Sequence, residues 1–127
     1  MKPRILIVNH DTAVTQQLFW SLSEEYDVVT ANDMHTAVRR ATVYMPSVSI
    51  VDLHLPPDGS REVGLRILEY IKAHVPESKV LVMTANTKEA WELCYAGGAD
   101  EILAKPFEIE QLLTTTRRLA PRQVEVV

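Results

Sequence analysis

Residues Val48-Ser49-Ile50-Val51-Asp52-Leu53 carry the strongest indication of the fold of this chain. It is a short apolar run that carries one carboxylate near its end and is broken soon afterwards by Pro56-Pro57. Continuous apolar runs of this length are typical of parallel strands that are buried on both faces. The sequence therefore predicts a buried parallel strand over residues 48–53, with Asp52 close to its carboxyl end.

Two more runs of this kind each lead to one polar residue. The run that begins at Lys79 leads to Thr84, and the run that begins at Glu101 leads to Lys105, which precedes Pro106. Ligands of open α/β sheets bind beyond the carboxyl ends of the strands. A carboxylate, a hydroxyl and an ammonium delivered to that edge suit phosphoryl acceptance. Asp52 would be the nucleophile, Thr84 a donor to a phosphoryl oxygen, and Lys105 the cation that neutralises developing charge.

Strand-like and helix-like periods alternate along the whole chain. Strands are predicted at 5–8, 26–31, 48–53, 80–84 and 101–104, and helices around 14–22, 34–41, 65–71, 87–96 and 109–113. Five such units in 127 residues predict a doubly wound α/β domain, in which right-handed crossovers place helices on both faces of a parallel sheet. We predict one domain over residues 1–120 and a C-terminal tail over 121–127.

Composition excludes several classes of protein. The net charge is −4, and the 13 basic residues form no stripe, so we expect no direct binding to nucleic acid. A single cysteine, Cys94, excludes an internal disulfide and suits a reducing compartment. Apolar runs are too short for a secretion signal or a membrane span. We therefore expect a soluble, cytoplasmic protein that does not enter membranes.

Sequence motifs resemble those of the receiver domains of bacterial two-component response regulators. None is specific alone, but all of them occur in order and at the expected spacing between residue 4 and about residue 119. They are Arg4-Ile5-Leu6-Ile7-Val8, Val51-Asp52-Leu53 with Pro56, Met83-Thr84-Ala85, and Gly98-Ala99-Asp100 before Ala104-Lys105-Pro106-Phe107.

The resemblance implies a CheY-like, flavodoxin-like sheet in the order 2-1-3-4-5 with five helices. It also implies a cis Lys105–Pro106 bond and a position for Asn9 and His10 near Asp52. A histidine kinase or phosphotransfer protein would phosphorylate Asp52, and an output domain or separate protein would receive the signal. Such a domain is not an enzyme beyond self-catalysed phosphotransfer and autodephosphorylation, and homodimerisation is left open.

Other positions gain roles from the same resemblance. His54 and Asn86 lie where the family tunes the lifetime of the phosphoryl group, although either could be an ordinary loop residue. Ile102 occupies the switch position, where the family usually has Tyr or Phe. Because an isoleucine side chain cannot gain or lose a hydrogen bond, we expect motion of Thr84 to be poorly coupled to the fourth helix.

The metal site departs most from the family pattern. Receivers usually carry two adjacent acids after the first strand, which hold Mg²⁺, whereas this chain has Asn9-His10 there. Asp52 and the backbone carbonyl of His54 remain as expected ligands, with Asn9, His10 and Asp11 as weak candidates. Mg²⁺ prefers oxygen ligands and usually one or two carboxylates, so the sequence predicts weak Mg²⁺ binding.

The individual candidates have ordinary alternatives. Asp11 fits the N-cap of the first helix better than a metal site. His10 could pair with Asp52 when protonated, help to bind a softer divalent ion such as Mn²⁺ or Zn²⁺ when neutral, or simply point into solvent.

Three functional hypotheses remain after these comparisons. Retention of Asp52, Thr84 and Lys105 favours a phosphorylatable switch, whereas Asn9-His10 and Ile102 favour a pseudo-receiver that acts as an interaction module without Mg²⁺-dependent phosphorylation. A flavin- or nucleotide-binding enzyme is disfavoured because the turn over residues 9–13 lacks a glycine to hold a phosphate. The sequence would suit a stand-alone receiver or one cut from a longer chain near Pro121.

Overall fold

A computed structural model describes residues 2–55 and 61–120. Over these residues, five strands alternate with five helices, as the periodicity predicted. The elements are β1 (Arg4–Val8), α1 (Thr12–Leu22), β2 (Asp27–Ala31), α2 (Met34–Tyr44), β3 (Val48–Asp52), α3 (Glu62–His74), β4 (Lys79–Ala85), α4 (Lys88–Ala96), β5 (Glu101–Lys105) and α5 (Ile109–Leu119).

The strands form one parallel sheet in the order β2-β1-β3-β4-β5. This order confirms the predicted doubly wound topology. All five residues of β3 are buried, which explains its continuous apolar sequence. Because β1 and β3 are neighbours in register, with Val8 beside Val51, the residues after β1 lie next to Asp52.

Side chains on the two faces of the sheet pack into separate cores. One face packs against α2, α3 and α4, and includes Val80, Val82 and Ile102. The other face packs against α1 and α5, and includes Val48, Ile50 and Met83. Since side chains alternate along a strand, Asp52 falls on the α1/α5 side, whereas Thr84 falls on the α3/α4 side.

Local capping explains where the helices begin and end. The Asp11 carboxylate caps α1 by accepting hydrogen bonds from the backbone N–H groups of Ala13 (3.0 Å) and Val14 (3.3 Å). The N-cap role predicted for Asp11 is therefore confirmed. Thr87 caps α4 in the same way, and Gly98, with φ of 101°, follows the end of that helix.

The second strand begins one residue later than predicted, because Tyr26 has a different role. Its ring is buried, and its hydroxyl donates a hydrogen bond to the carbonyl oxygen of Ala120 at 2.9 Å. Burial raises the pKa of Tyr26 above its usual range, which keeps the hydroxyl protonated as a donor. This contact fastens the turn after α1 to the end of α5.

Some predictions fall outside the part of the chain that the structure describes. They concern the break at Pro56-Pro57 and the tail over residues 121–127. Within residues 2–55 and 61–120, no helix combines the length and the apolar character needed to cross a membrane.

Candidate functional site

Asp52 lies at the carboxyl end of β3 and is almost completely buried, with 2% of its surface exposed. Its Oδ1 atom accepts a hydrogen bond from Lys105 Nζ at 2.8 Å and another from the backbone N–H of His54 at 3.1 Å. Both contacts stabilise the charged carboxylate and fix its orientation. One carboxylate oxygen is therefore committed to protein donors, which leaves Oδ2 to face the adjacent cleft.

Lys105 reaches Asp52 from the end of β5. The following bond, Lys105–Pro106, is cis, as the family resemblance implied. The lysine side chain keeps 39% of its surface exposed, so its ammonium can contact both Asp52 and a group that enters from solvent. A cation in this position can neutralise charge that develops on an acceptor bound to Asp52.

His10 points towards Asp52 rather than away from it. Its Nδ1 atom lies 4.0 Å from Asp52 Oδ2, and about half of its side chain is exposed. The two carboxylate oxygens therefore have different neighbours, Lys105 at Oδ1 and His10 at Oδ2. His10 thus lies beside the carboxylate while about half of its side chain remains in solvent, so a role for it in the site stays a prediction.

Asn9 and Asp11 use their side-chain oxygens in local backbone contacts. Asn9 is 4% exposed, and its Oδ1 atom accepts a hydrogen bond from the backbone N–H of Asp11 at 2.9 Å. Asp11 Oδ1 accepts the two hydrogen bonds that cap α1. Both residues line the same cleft as Asp52, but the one side-chain oxygen of Asn9 and Oδ1 of Asp11 already accept backbone hydrogen bonds.

Thr84 presents an unusual buried hydroxyl at the same edge of the sheet. The residue is fully buried in β4, and its Oγ1 atom has no hydrogen-bond partner among the residues described. A buried polar group without a partner destabilises a fold by about 1–3 kcal/mol. Because Thr84 does not line the cleft beside Asp52, its side chain would have to move to reach a group bound there.

A cleft of about 530 Å³ opens beside these residues, between α1 and the β5–α5 connection. Polar side chains from Asn9, His10, Asp52 and Lys105 meet an apolar wall at its floor. That wall is formed by Val14, Leu18, Met83, Pro106, Phe107 and Ile109. The geometry allows a phosphoryl donor to approach Asp52 Oδ2 from the α1/α5 side.

Comparison with known proteins decides the family. The model of the family described as "Response regulator receiver domain" matches residues 5–117, which is most of the chain. The chain is a response regulator receiver domain.

Relatives with the same receiver domain include response regulators MprA from mycobacteria. The chain is 32% identical over 124 residues to MprA of Mycobacterium ulcerans, covering 96% of this chain and 52% of the relative. It is 33% identical over 121 residues to MprA of Mycobacterium leprae, covering 94% and 51%. The receiver thus spans about half the length of the curated relatives that it matches.

Solved structures of receivers superimpose closely on this one. The BeF3-activated receiver domain of DrrB matches with a TM-score of 0.84 and 27% identity, covering 96% of this chain and all of that one. The chemotaxis protein CheY4 of Vibrio cholerae matches with a TM-score of 0.83 and 26% identity, covering 94% and 99%. The CheY-like fold inferred from sequence is confirmed.

The remaining predicted positions of the receiver, Ile102 and Asn86, lie outside the contact group formed by Asp52, Lys105 and His10. Strand register places Ile102 beside Val82, and Ala104 beside Thr84. Ile102 is 8% exposed and packs in the core on the α3/α4 side, so an apolar side chain fills the switch position. Asn86 is exposed in the turn before α4, at a surface cleft shared with Thr87 and Trp91.

Receiver domains typically bind Mg²⁺, but the donors of this receiver do not fit that ion. Among the described residues that line the cleft, Asp52 is the one buried carboxylate, and it already pairs with Lys105. The Asn9 and Asp11 oxygens named above accept backbone hydrogen bonds. Among the described residues, no group of three or more His, Cys, Asp or Glu side chains could hold a metal ion. The imidazole of His10 is a poor ligand for a hard cation.

The apolar wall of the cleft does not follow from the sequence pattern. Val14 and Leu18 repeat at helical spacing, which is the pattern of core residues, and Phe107 was noted only as part of a motif. All three line the cleft, and Leu18 also belongs to the α1/α5 core. The motif containing Phe107 was the available signal, because it immediately follows Lys105-Pro106.

Proposed function

We propose that this receiver accepts a phosphoryl group on Asp52 from a histidine kinase or a phosphotransfer protein. The observation that carries the proposal is the position of three groups at one edge of the sheet. Asp52 is buried and oriented, Lys105 contacts it at 2.8 Å, and Thr84 has a buried hydroxyl that lacks a partner among the described residues. The same groups would contact a phosphoryl group bound to Asp52.

The contacts also favour one carboxylate oxygen as the nucleophile. Oδ1 is held by Lys105 and the His54 N–H, so Oδ2 is the oxygen that can attack phosphorus from the cleft. The new O–P bond forms as the bond between phosphorus and the donor breaks, and the donor group leaves with the electron pair. Lys105 then neutralises part of the added charge, and Thr84 Oγ1 donates to a phosphoryl oxygen.

The tuning and metal positions have narrower roles in this proposal. His54 orients Asp52 through its backbone N–H, and Asn86 would influence water access from the β4–α4 turn. Asp52 and the His54 carbonyl are the ligands that a divalent ion would use, with Asn9, His10 and Asp11 as minor contributors. We expect weak Mg²⁺ binding, while Mn²⁺ or Zn²⁺ could use the His10 imidazole.

Partners and context follow from the same proposal. Residues 1–120 would act as the receiver and 121–127 as a tail, in the cytoplasm, without turnover beyond self-catalysed phosphotransfer and autodephosphorylation. The aspartyl phosphate would carry about two negative charges where the carboxylate carried one, and it would bias the face formed by α4, β5 and α5, where an output domain or separate protein would bind.

A pseudo-receiver that works without phosphorylation is the second candidate. It is favoured by the Asn9-His10 pair, which replaces the usual acids, and by the buried Ile102 at the switch position. In that case, ligand or partner binding at the cleft would set the state of the domain.

Treatment with acetyl phosphate tests the first candidate against the second. Intact-mass measurement should show one acid-labile phosphoryl group per chain. Borohydride reduction followed by peptide sequencing should place it at residue 52, and a panel of histidine kinases would then identify natural donors. An unmodified mass after treatment with both acetyl phosphate and the kinases would favour the pseudo-receiver.

Self-association should change little upon phosphorylation, because Ile102 transmits the motion of Thr84 poorly. We expect the sedimentation coefficient of the phosphorylated or beryllofluoride-treated protein to stay close to that of the untreated protein. The matched variant is Ile102→Tyr, which supplies an aromatic hydroxyl at the switch position and should increase the response. A clear monomer-to-dimer shift in the wild type would show that an aromatic switch residue is dispensable here.

A further inference from the structure

The surroundings of Asp52 differ in charge from a site built around a dication. The contact group contains one buried carboxylate, Asp52, and one ammonium, Lys105, whose charges cancel. At the two positions after β1, Asn9 adds no charge, and His10 adds none or a positive one. A pair of acids there would repel an incoming phosphoryl group and would need a dication to offset that repulsion. In this chain, that repulsion is absent at those positions.

Local hydrogen bonds also oppose recruitment of a metal ion. Asn9 Oδ1 holds the backbone N–H of Asp11, and Asp11 Oδ1 caps α1. A cation bound to either of these oxygens would compete with a backbone donor for it, and the loss of an N-cap alone costs about 1 kcal/mol. The Lys105 ammonium, 2.8 Å from Asp52, would also repel a dication bound to that carboxylate.

Donors for a phosphoryl group are nevertheless present on several sides. Lys105 Nζ lies at Asp52 Oδ1, and His10 Nδ1 lies 4.0 Å from Oδ2, the oxygen that faces the cleft. Thr84 Oγ1 is buried and lacks a partner among the described residues. A His10 Nδ1–H is available in the imidazolium and in one neutral tautomer, so its use does not depend on a particular charge state.

We propose that this receiver accepts its phosphoryl group without a divalent cation, with the His10 N–H and the Lys105 ammonium holding the phosphoryl oxygens. The inference rests on the proposed function of Asp52. With acetyl phosphate as donor, Asp52 Oδ2 forms the new bond to phosphorus, the bond between phosphorus and the acetyl oxygen breaks, and acetate leaves with the electron pair. No proton transfer, oxidant or reductant is needed.

Initial rates of labelling by acetyl phosphate, followed by intact mass, test the inference directly. We expect the rate in EDTA to equal the rate in excess Mg²⁺ within about twofold, since no metal ion takes part in the transfer. His10→Ala should lower the rate in EDTA by about tenfold, because one donor to the phosphoryl group is lost. The matched control is His35→Ala, which removes an exposed histidine on α2 and should leave the rate unchanged.

Introducing acids at residues 9 and 10 should make phosphoryl transfer to Asp52 depend on a metal ion. In Asn9→Asp/His10→Asp, we expect labelling to depend on Mg²⁺, and calorimetry with Mg²⁺ alone should show affinity at least about tenfold above that of the wild type, since two carboxylates then face the ion. Circular dichroism checks that each variant is folded. The wild-type rates in EDTA and Mg²⁺ remain decisive if the double variant does not fold.

The possible results separate the inference from the function on which it rests. Wild-type labelling that occurs only with Mg²⁺ overturns the inference and leaves Asp52 phosphorylation intact. Wild-type Mg²⁺ affinity equal to that of a folded double variant also overturns it. Absence of labelling both in EDTA and in Mg²⁺ overturns the proposed function, and the inference with it. Equal loss of rate in His10→Ala and His35→Ala removes His10 from its role.

Discussion

Asp52→Asn is expected to abolish phosphoryl acceptance completely. The amide that replaces the carboxylate has no anionic oxygen to attack phosphorus, although its size and shape are nearly the same. The variant should therefore fold, because Lys105 is partly exposed and can be solvated after it loses its partner. Intact mass after treatment with acetyl phosphate, or with a cognate kinase once one is known, is the measurement.

A suitable control removes a carboxylate elsewhere on the sheet. Asp27 is exposed at the start of β2, at the opposite end of the strands from the cleft. Asp27→Asn should keep the full label, because neither the contact group nor the cleft changes. Label that persists in Asp52→Asn would assign the phosphoryl group to another residue and would remove Asp52 from the role of acceptor.

Gly64→Ala is expected to destabilise the protein by about 3 kcal/mol, since the added methyl group would overlap backbone atoms. A Cβ atom at Gly64 would lie 2.2 Å from the carbonyl oxygen of Leu53 and 2.6 Å from its C and Cα atoms. Leu53 directly follows Asp52 and is itself buried, so the clash cannot be relieved by a side-chain rotation. The first turn of α3 would have to move away from the end of β3.

Gly97→Ala provides the matched control for this prediction. The nearest atom to a Cβ at Gly97 is Leu68 Cδ2 at 3.0 Å, which belongs to a side chain that can adjust. Gly97 also has a right-handed helical backbone, with φ of −79°, so alanine fits its conformation. We expect the free energy of unfolding, measured by urea denaturation, to change by less than about 1 kcal/mol in Gly97→Ala, and to fall by more than that in Gly64→Ala. Equal urea midpoints for Gly64→Ala and Gly97→Ala would contradict the close contact between Gly64 and the backbone of Leu53.

The sequence was sufficient to predict the topology because several local signals agreed. Continuous apolar runs marked the buried strands, and helix-period segments between them required parallel crossovers. The place of Asp52 at a strand end and the convergence of Lys105 with it followed from that topology. The positions of Tyr26 and Met45 did not follow. Tyr26 leaves the strand to reach Ala120, and Met45 adopts a left-handed conformation before Pro46.

Side-chain orientation at the site was the least predictable part. Whether His10 faced Asp52 or solvent depends on one rotamer after the end of β1, and no periodic pattern reports on it. From the sequence, Asn9 offers an amide oxygen to a ligand, but in the structure that oxygen accepts a hydrogen bond from the Asp11 N–H two residues later. Such local contacts compete with longer-range ligands, and asparagine forms them readily. The missing partner of Thr84 Oγ1 likewise required the three-dimensional structure.

Alternation along the strands sends Asp52 and Thr84 to opposite sides of the sheet. A donor enters over α1 and α5, while any displacement of Thr84 is felt first by the layer of α3 and α4. In the proposed relay, the α1/α5 surface that binds the donor and the α3/α4 layer that packs against Thr84 therefore share few residues. Mutations that retune one of them can accumulate without damage to the other. A duplicated copy of this domain could thus acquire a new output partner while it still accepts phosphoryl groups from the original donor.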